Sequence, residues 1–411
     1  MTETPRDPVL QLNKISCRLD KPLIYTRFIL KFQIKLICLS KLSFTFNQLE
    51  KYFLIRALNH SLNKLLERTG MKQFFFKINK WILTLLTASF FCGSAFAVTD
   101  LKFSLDWKFE GPSALFFTAL ERGYYAASGL NVTIDSGKGS LDAIPKVASG
   151  TYPIGFADIN SLVKFKDKNP DTNVIGIMMI YDAPPFAIIG RKSLGVSKPK
   201  DLEGKILGAP APDGAYAQWK SFVLANGIDA SKVTIENVGF PVREPMLAQG
   251  KVHAITGFSF SSYINLKSKG VPANDISLML MTENGLDLYG NSVIVNTDYA
   301  RMNPDVVKGF LNATLMGIRD VVADPAATVK YVIKYNNVAR EAVEHERLEM
   351  ALRDNVVTGY VSRNGIGGID RARFKRAIQQ LGQSFTFTRN VTVDEVFTED
   401  YLPTKANRMI N

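Results

Sequence analysis

From Val98 onward, short apolar segments alternate with segments of helical character, and this alternation constrains the fold more than any other feature of the chain. Leu101–Leu105 and Asn131–Asp135 are typical of strands, and Pro112–Arg122 between them is typical of a helix. The pattern continues to Val295, and the chain from Pro304 is mostly helical. Strands separated by helices indicate βαβ units. The sequence therefore predicts an α/β fold with mainly parallel sheets.

The segment that begins at Met71 has the layout of a secretory signal peptide. Three lysines precede the uncharged apolar run Trp81–Phe91, and the segment ends in the small-residue pattern Ala95-Phe96-Ala97. Such a run is shorter than a membrane span requires, and the A-x-A pattern is a cleavage site. We predict cleavage after Ala97 and a periplasmic mature protein. Residues 1–70 are predicted to be an upstream extension outside that mature protein.

The charge of the chain is unevenly distributed. Its 50 Lys and Arg against 38 Asp and Glu give a formal charge of +12, but residues 1–97 carry 15 against 5. The residues from Val98 onward carry 35 Lys and Arg against 33 Asp and Glu, and this near balance gives no indication of nucleic-acid binding. Cys17, Cys38 and Cys92 also precede Val98. The predicted mature chain therefore has no disulfide, cysteine-ligated zinc or cysteine nucleophile, and its motifs indicate no metal and no cofactor.

Six segments, taken in order, carry a family resemblance. They are Leu105-Asp106-Trp107, Ala119–Tyr125 (ALERGYY), Gly129–Val132 (GLNV), Ala148–Asp158 (ASGTYPIGFAD), Pro199–Gly208 (PKDLEGKILG) and Met246–Ala254 (MLAQGKVHA). Over about residues 100–400 the chain resembles the periplasmic ligand-binding proteins of ABC importers. The branch it resembles includes thiamine-precursor, riboflavin, taurine and nitrate binders.

The resemblance implies a type II-like periplasmic binding protein fold, with two α/β lobes and a ligand in the cleft between them. We place lobe 1 at residues 98–183 and 290–411 and lobe 2 at residues 184–289. The implied partners are a small-molecule ligand and an ABC permease and ATPase complex in the inner membrane. We expect a monomer.

The end of the first predicted strand is a candidate ligand site. Asp106 and Trp107 lie there, and open α/β sheets bind ligands at the ends of their strands. Trp107 offers a flat face for stacking, and Asp106 can accept hydrogen bonds from ring or amine N–H groups. A core tryptophan and a helix-capping aspartate are the alternatives. Glu110 lies nearby and is either a residue of the cleft or a solvated acid of a loop.

Two further turns of lobe 1 are candidates. Gly139 and Ser140 lie in a glycine-rich turn before a helix, which suits an anion or a carbonyl group, although Ser140 is also a good N-cap. Asp158 and Asn160 follow another predicted strand. The resemblance implies that their loop approaches the ligand.

The crossover and lobe 2 supply the remaining candidates. Tyr181 and Asp182 lie in the crossover, where Asp182 can instead begin a turn. Phe258 and Arg243 follow strands of lobe 2. Arg243 can clamp an anion or form a surface pair with a neighbouring glutamate.

One predicted helix start in lobe 2 combines an acid with two aromatic residues. Asp213 precedes the helix and is either a ligand contact or its N-cap. Tyr216 and Trp219 are three residues apart and share one helix face. They can form a second aromatic wall of the cleft or pack into the lobe core.

These residues favour a small planar ligand. Several acids and aromatic side chains suit a heterocycle with N–H donors, such as a thiamine pyrimidine precursor, whereas Arg243 and the Gly139–Ser140 turn suit a sulfonate or nitrate. Thiamine-pyrimidine synthases resemble the same family. However, Pro112–Phe117 stands where their pattern has Asn-His, and the predicted mature chain lacks cysteine. We therefore predict a binding protein and not an enzyme.

Overall fold

The computed structural model describes residues 98–410, and the predicted extension and signal peptide lie outside the described residues. Two five-stranded sheets organise this part of the chain. The strands are β1 (Thr99–Ser104), β2 (Leu130–Asp135), β3 (Ile154–Asp158), β4 (Ile175–Met179), β5 (Phe186–Arg191), β6 (Ile206–Gly208), β7 (Thr234–Glu236), β8 (Ala254–Phe258), β9 (Ile276–Leu280) and β10 (Asn291–Val295).

The two sheets have the same plan. Their strand orders are β2-β1-β3-β10-β4 and β7-β6-β8-β5-β9. Strand β10 is antiparallel to both of its neighbours, and so is β5, while the other four strands of each sheet run parallel. The predicted α/β fold is confirmed. The two antiparallel strands are those that the chain enters directly after passing from one sheet to the other.

Each sheet is flanked by helices. The α-helices are α1 (Ala114–Glu121), α2 (Tyr124–Ala127), α3 (Ser140–Ala148), α4 (Ile159–Lys168), α5 (Trp219–Ala225), α6 (Phe240–Ala248), α7 (Ser259–Ser268), α8 (Thr297–Met302), α9 (Pro304–Ala323), α10 (Pro325–Tyr335), α11 (Glu341–Ala351), α12 (Gly359–Asn364), α13 (Arg371–Phe385) and α14 (Val393–Val396). A π-helical turn, Leu352–Val356, continues α11. We call the elements around the first sheet the first lobe and those around the second sheet the second lobe.

The helices begin where the sequence supplies start signals. Proline occupies the first position of α9 and α10, where its missing N–H costs nothing. The Asp324 carboxylate accepts a hydrogen bond from the Ala327 N–H and caps α10. Helix α4, which the sequence analysis did not predict, is capped by Asp158.

Each lobe has an apolar core on its sheet. In the first lobe the Phe103 ring lies 4.9 Å from Phe116 and 5.1 Å from Phe310, which joins β1 to α1 and α9. In the second lobe the fully buried Ile189 and Ile255 pack beneath α6 and α7. Burying a side chain of this size contributes about 1.5–3 kcal/mol. These cores fix the strands whose ends carry the site.

Two chain segments connect the lobes. One runs from Met179 to Phe186, and the other runs from Leu280 to Asn291. They are hydrogen-bonded side by side, since Tyr181 donates its N–H to Asn291 O at 3.0 Å and Gly290 donates to Tyr181 O at 2.9 Å. This pairing brings the lobes together at one edge of a cleft.

Candidate functional site

The cleft between the lobes contains two adjoining cavities, of which the one at Arg243 is smaller than the one at Glu110. Both cavities are lined by Asp106, Trp107 and Phe258. The smaller cavity is also lined by Gly139, Ser140, Asp213, Gly214, Phe240, Arg243 and Ser261. The larger cavity is also lined by Leu105, Lys108, Glu110, Pro112, Ser113, Phe116, Phe156, Tyr181 and Phe260. Residues of both lobes therefore form one composite site.

Asp106 lies just beyond β1 at the centre of this site. Its Oδ2 accepts hydrogen bonds from Ser140 Oγ at 2.9 Å and from Asn291 Nδ2 at 2.6 Å, which leaves Oδ1 without a side-chain partner. Burial raises the pKa of the Asp106 carboxyl to about 7, and the two hydrogen bonds offset only part of this effect. Near neutral pH Asp106 can therefore accept a hydrogen bond as a carboxylate or donate one as an acid.

Trp107 forms a half-buried wall that touches the opposite lobe. Its ring meets Phe240 edge to face at 4.4 Å between centroids, and the Arg243 guanidinium lies 5.8 Å away. The indole Nε1 is buried and makes no hydrogen bond of normal geometry, although it is close enough to Glu110 to help lower the pKa of that carboxyl. This N–H is a donor that a ligand can use.

Glu110 is a buried cavity residue and not a solvated loop acid. Its Oε2 accepts a hydrogen bond from Ser261 Oγ at 2.5 Å and lies 3.4 Å from Arg347 Nη1. Burial alone would raise the pKa of Glu110, but the charges of Arg347 and Lys108 outweigh it and lower that pKa. Glu110 therefore adds a fixed negative charge to the cavity wall.

Arg243 is a cavity residue whose charge is already compensated. It is 2% exposed, and its Nε and Nη2 donate to Glu244 Oε1 at 3.0 and 2.6 Å. Its Nη1 lies 3.8 Å from Asp213 Oδ2. The sequence analysis considered a surface ion pair between Arg243 and a neighbouring glutamate. The pair with Glu244 exists, but it is buried and not on the surface.

Asp213 lines the smaller cavity, but it is not the N-cap of the helix that begins at Trp219, whose N-cap is Gln218. Asp213 accepts hydrogen bonds from the Ala215 N–H at 3.2 Å and from Thr256 Oγ1 at 2.8 Å. Burial raises the pKa of its carboxyl against the opposing charge of Arg243.

Gly139 and Ser140 also line the smaller cavity, but Ser140 is not the predicted N-cap. Gly139 precedes α3, and its φ of 106° favours glycine. Ser140 is the first helical residue, and its hydroxyl accepts a hydrogen bond from the Asp158 N–H while it donates to Asp106. A Cβ on Gly139 would lie 2.3 Å from Pro212 O of the second lobe. The two lobes are thus in close contact at this turn.

Asp158 and Asn160 lie behind the cavity wall and line neither cavity. Asp158 is fully buried and accepts hydrogen bonds from the N–H groups of Asn160 and Ser161, which makes it the N-cap of α4. Its Oδ2 also accepts a hydrogen bond from Gln218 Nε2 of the second lobe at 2.9 Å. Asn160 donates to Tyr289 O. The expected ligand contacts are therefore replaced by capping and contacts between the lobes.

Three other predicted residues also lie outside the cavity lining. Asp182 accepts a hydrogen bond from Thr358 Oγ1 and pairs with Arg373 at 3.3 Å beside the crossover. Trp219 is 8% exposed and packs with Phe222 in the core. Tyr216 is half-buried and packs against the same core. Their environments favour the structural alternatives over ligand contact. Tyr181, by contrast, lines the larger cavity.

The sequence analysis missed Phe240 and Ser261 in the cavity wall. Phe240 begins a helix two residues after the Asn237-Val238 segment that follows β7, and Ser261 lies in the first turn after β8. Both positions follow strands of the second lobe, which is the signal that could have identified them.

The described part of the chain has few other chemical candidates. Between residues 98 and 410 no group of three or more His, Cys, Asp or Glu is arranged to hold a metal ion. In the same range no helix combines the length and apolar character needed to cross a membrane. The His253 Nδ1 accepts a hydrogen bond from the Ile206 N–H, and His345 lies 3.5 Å from Glu349 on α11. Neither histidine lines either of the two cavities of the cleft.

Known proteins with similar sequences include two binding proteins. The riboflavin-binding protein RibY of Chloroflexus aurantiacus is 23% identical over 297 residues, covering 71% of this chain and 82% of that protein. The formylaminopyrimidine-binding protein of Halalkalibacterium halodurans is 24% identical over 313 residues, covering 74% of this chain and 90% of that protein. Similar proteins also include fungal 4-amino-5-hydroxymethyl-2-methylpyrimidine phosphate synthases.

The fold is that of the periplasmic binding proteins. The alkanesulfonate-binding protein SsuA of Xanthomonas axonopodis superposes with a TM-score of 0.58 at 15% identity, covering 73% of this chain and 98% of that one. The family model described as NMT1/THI5 like matches residues 112–328, which is more than half of the chain. The chain belongs to the NMT1/THI5-like family.

Proposed function

We propose that this protein is the extracytoplasmic solute-binding component of an ABC importer and that it captures a small planar heterocycle with amino or ring N–H donors. A thiamine pyrimidine precursor is the ligand class that we favour. The family and the fold support the binding role. The chemistry of the cavity supports the choice of ligand.

One observation carries this choice: the Asp106 carboxyl lines both cavities, and its Oδ1 has no side-chain hydrogen-bond partner. The carboxyl groups of Glu110 and Asp213 also line the cavities, and the two basic side chains of the lining, Lys108 and Arg243, each lie beside a carboxylate. Carboxylates in a buried site bind amine or amidine donors strongly, because such hydrogen bonds are assisted by charge. The aromatic rings of Trp107 and Phe240 add surfaces for a planar ring.

A sulfonate or nitrate ligand is less compatible with this arrangement. An anion would need Arg243 or Lys108 as its partner, but Glu244 already takes two hydrogen bonds from Arg243, and Lys108 Nζ lies 3.4 Å from Glu110 Oε1. The start of α3 also faces a carboxyl group, since the Ser140 hydroxyl donates to Asp106 Oδ2, while the Gly139 N–H already donates to the Asp106 backbone carbonyl. A bound anion would therefore lie beside like charges, which is unfavourable.

A synthase activity is also disfavoured for this chain. Pro112–Phe117 occupies the position of the Asn-His of the synthase-like pattern, and no cysteine follows Cys92. If residues 71–97 act as a signal peptide, the protein reaches the periplasm before it can act on cytoplasmic substrates. We therefore propose a binding protein whose partners are an ABC permease and its ATPase.

Isothermal calorimetry tests this proposal. The probes are 4-amino-5-hydroxymethyl-2-methylpyrimidine, its analogue without the 4-amino group, riboflavin and taurine, each titrated into the chain from Val98. We expect the aminopyrimidine to bind at least about tenfold more tightly than the analogue, because one charge-assisted hydrogen bond contributes about 1.5–3 kcal/mol. Tighter binding of taurine than of the aminopyrimidine would contradict the proposed ligand class. Turnover of the pyrimidine would contradict the proposed binding role.

A further inference from the structure

A buried arginine outside the cavity lining joins the cavity to both lobes. Arg347 lies on α11, is 2% exposed and is the largest fully buried side chain of residues 98–410. Its Nε donates to Glu344 Oε2 at 2.9 Å, and its Nη1 lies 3.4 Å from Glu110 Oε2. A charge buried this deeply is tolerated only where partners compensate it.

Arg347 also donates hydrogen bonds to the second lobe. Nη1 donates to the carbonyl oxygens of Phe260 and Ser261 at 3.1 and 3.0 Å, and Nη2 donates to Asn265 Oδ1 at 3.0 Å. Ser261 in turn donates its hydroxyl to Glu110. Arg347, Glu110 and Ser261 thus form a closed triangle across the cleft, and one corner of it is a cavity residue.

Helix α11 also fixes the backbone beside Glu110. Glu344, which is one turn from Arg347, accepts a hydrogen bond from the Gly111 N–H at 2.6 Å. The acid that faces the cavity is therefore held from the side chain and from the adjoining backbone. Both attachments come from a helix that lies beyond the residues matched by the family model.

We infer that Arg347 is a positioning residue of the ligand site, which holds Glu110 as an oriented carboxylate in the cavity wall and joins it to the first turn of α7. As a consequence, helix α11 affects how strongly the site binds a ligand with N–H donors, although none of its residues lines the two cavities. The expected effect on ligand binding rests on the proposed function. The effect of Arg347 on Glu110 does not, because it can be measured without a ligand.

The test compares Arg347→Met, Arg347→Lys and a matched control, Arg408→Lys. Arg408 is also buried and ion-paired, with Glu399 at 3.3 Å, and its Nη1 donates to Ile366 O, but it lines neither cavity. The first readout is the titration of Glu110, followed by carbon-13 NMR of labelled glutamate carboxylates and assigned with Glu110→Gln. In Arg347→Met we expect the titration to move upward by about one pH unit or more, because a neighbouring positive charge is lost. Arg347→Lys should give a smaller shift, and Arg408→Lys none.

The second readout is the dissociation constant of 4-amino-5-hydroxymethyl-2-methylpyrimidine between pH 5 and pH 8. We compare the dissociation constant of each variant with that of the unchanged protein at the same pH. Protonation of the ligand affects both constants equally, so it does not change their ratio. For Arg347→Met this ratio should be roughly tenfold or more and should increase as the pH falls, since Glu110 then becomes protonated. If Arg347→Met does not fold, Arg347→Lys decides the question by the same two readouts.

An unshifted Glu110 titration in the Arg347 variants would overturn the inference, and so would a binding ratio of one at every pH. If the unchanged protein binds no pyrimidine, the proposed function fails, and the Glu110 titration still decides the role of Arg347. The two failures are therefore distinguishable.

Discussion

Replacing Asp106 by asparagine should stabilise the protein while it weakens the capture of an amino heterocycle. The carboxyl is buried, and its pKa is about 7 in the folded chain against 3.8 for an unperturbed aspartate. Between these two values the folded state keeps a proton that the unfolded state has released. The free energy of unfolding therefore falls as the pH rises from about 4 to about 7, and this loss is complete above that range.

The size of the effect follows from the shift. About three pH units at about 1.4 kcal/mol each give a destabilisation of about 4 kcal/mol at pH 8. Asparagine carries no charge, and its oxygen can still accept from Ser140 and Asn291, the two partners of Oδ2. We expect Asp106→Asn to gain up to about 4 kcal/mol at pH 8 and little or nothing at pH 4.

Guanidinium denaturation at pH 4, 5, 6, 7 and 8 measures this difference, with the exposed Asp400→Asn as the control. The reasoning is refuted if the difference in free energy of unfolding between Asp106→Asn and the unchanged protein is the same at every pH. Calorimetry on the same proteins should show weaker binding of the aminopyrimidine by roughly 10- to 100-fold, the effect of one charge-assisted hydrogen bond. Binding of an anion should be unchanged or improved, because a negative charge is removed.

Three further predictions concern the cleft and the N-terminus. Trp107→Ala should weaken ligand binding by about 1–3 kcal/mol, as expected for a lost stacking surface. Calorimetry measures the affinity and denaturant titration measures the stability. If the stability falls and the affinity does not, Trp107 is a packing residue and not a ligand contact. Gly214→Ala should bind normally, because its Cβ would lie at an ordinary contact distance of 3.5 Å from Asp158 Cβ and Ser140 Oγ of the first lobe. Gly214→Val has two methyl groups more than Gly214→Ala, and these should hold the lobes apart. Small-angle scattering with ligand should show a larger radius for Gly214→Val, and equal radii would contradict this. N-terminal sequencing of exported protein should begin at Val98, and a lipid-modified Cys92 would contradict cleavage after Ala97.

Much of the fold could be predicted because its signals are local. The alternation of strands and helices sets the class, and the carboxyl ends of parallel strands meet at one sheet edge. That geometry is why Asp106 and Phe258, at the ends of β1 and β8, converge on one cavity. The antiparallel direction of β5 and β10 has no local signal, because it depends on how the chain crosses between the lobes.

Which side chains face the cavity could not be predicted, because the answer depends on distant partners. Asp106 and Asp158 both follow strands, but a helix starts directly after Asp158 and takes its carboxylate as a cap. Helix α1 begins well after Asp106, whose side chain reaches the cavity instead. Glu110 is buried beside Arg347, which lies far along the chain and supplies an opposite charge. No local pattern around Glu110 indicates that partner.

We expect the charge pattern of the cavity to disfavour the anionic ligands that other proteins of this fold bind. A fold is compatible with many ligands, so specificity has to come from the site itself. Here the second lobe brings Arg243 with its own counterion, Glu244, and the first lobe brings Asp106 and Glu110. When the lobes meet, carboxyl groups of both lobes are enclosed in a small volume, and repulsion among them rises unless the ligand supplies donors. If the proposed function holds, the same acids should attract an amino heterocycle and disfavour a sulfonate, and the ligand's N–H groups should help the cleft to close.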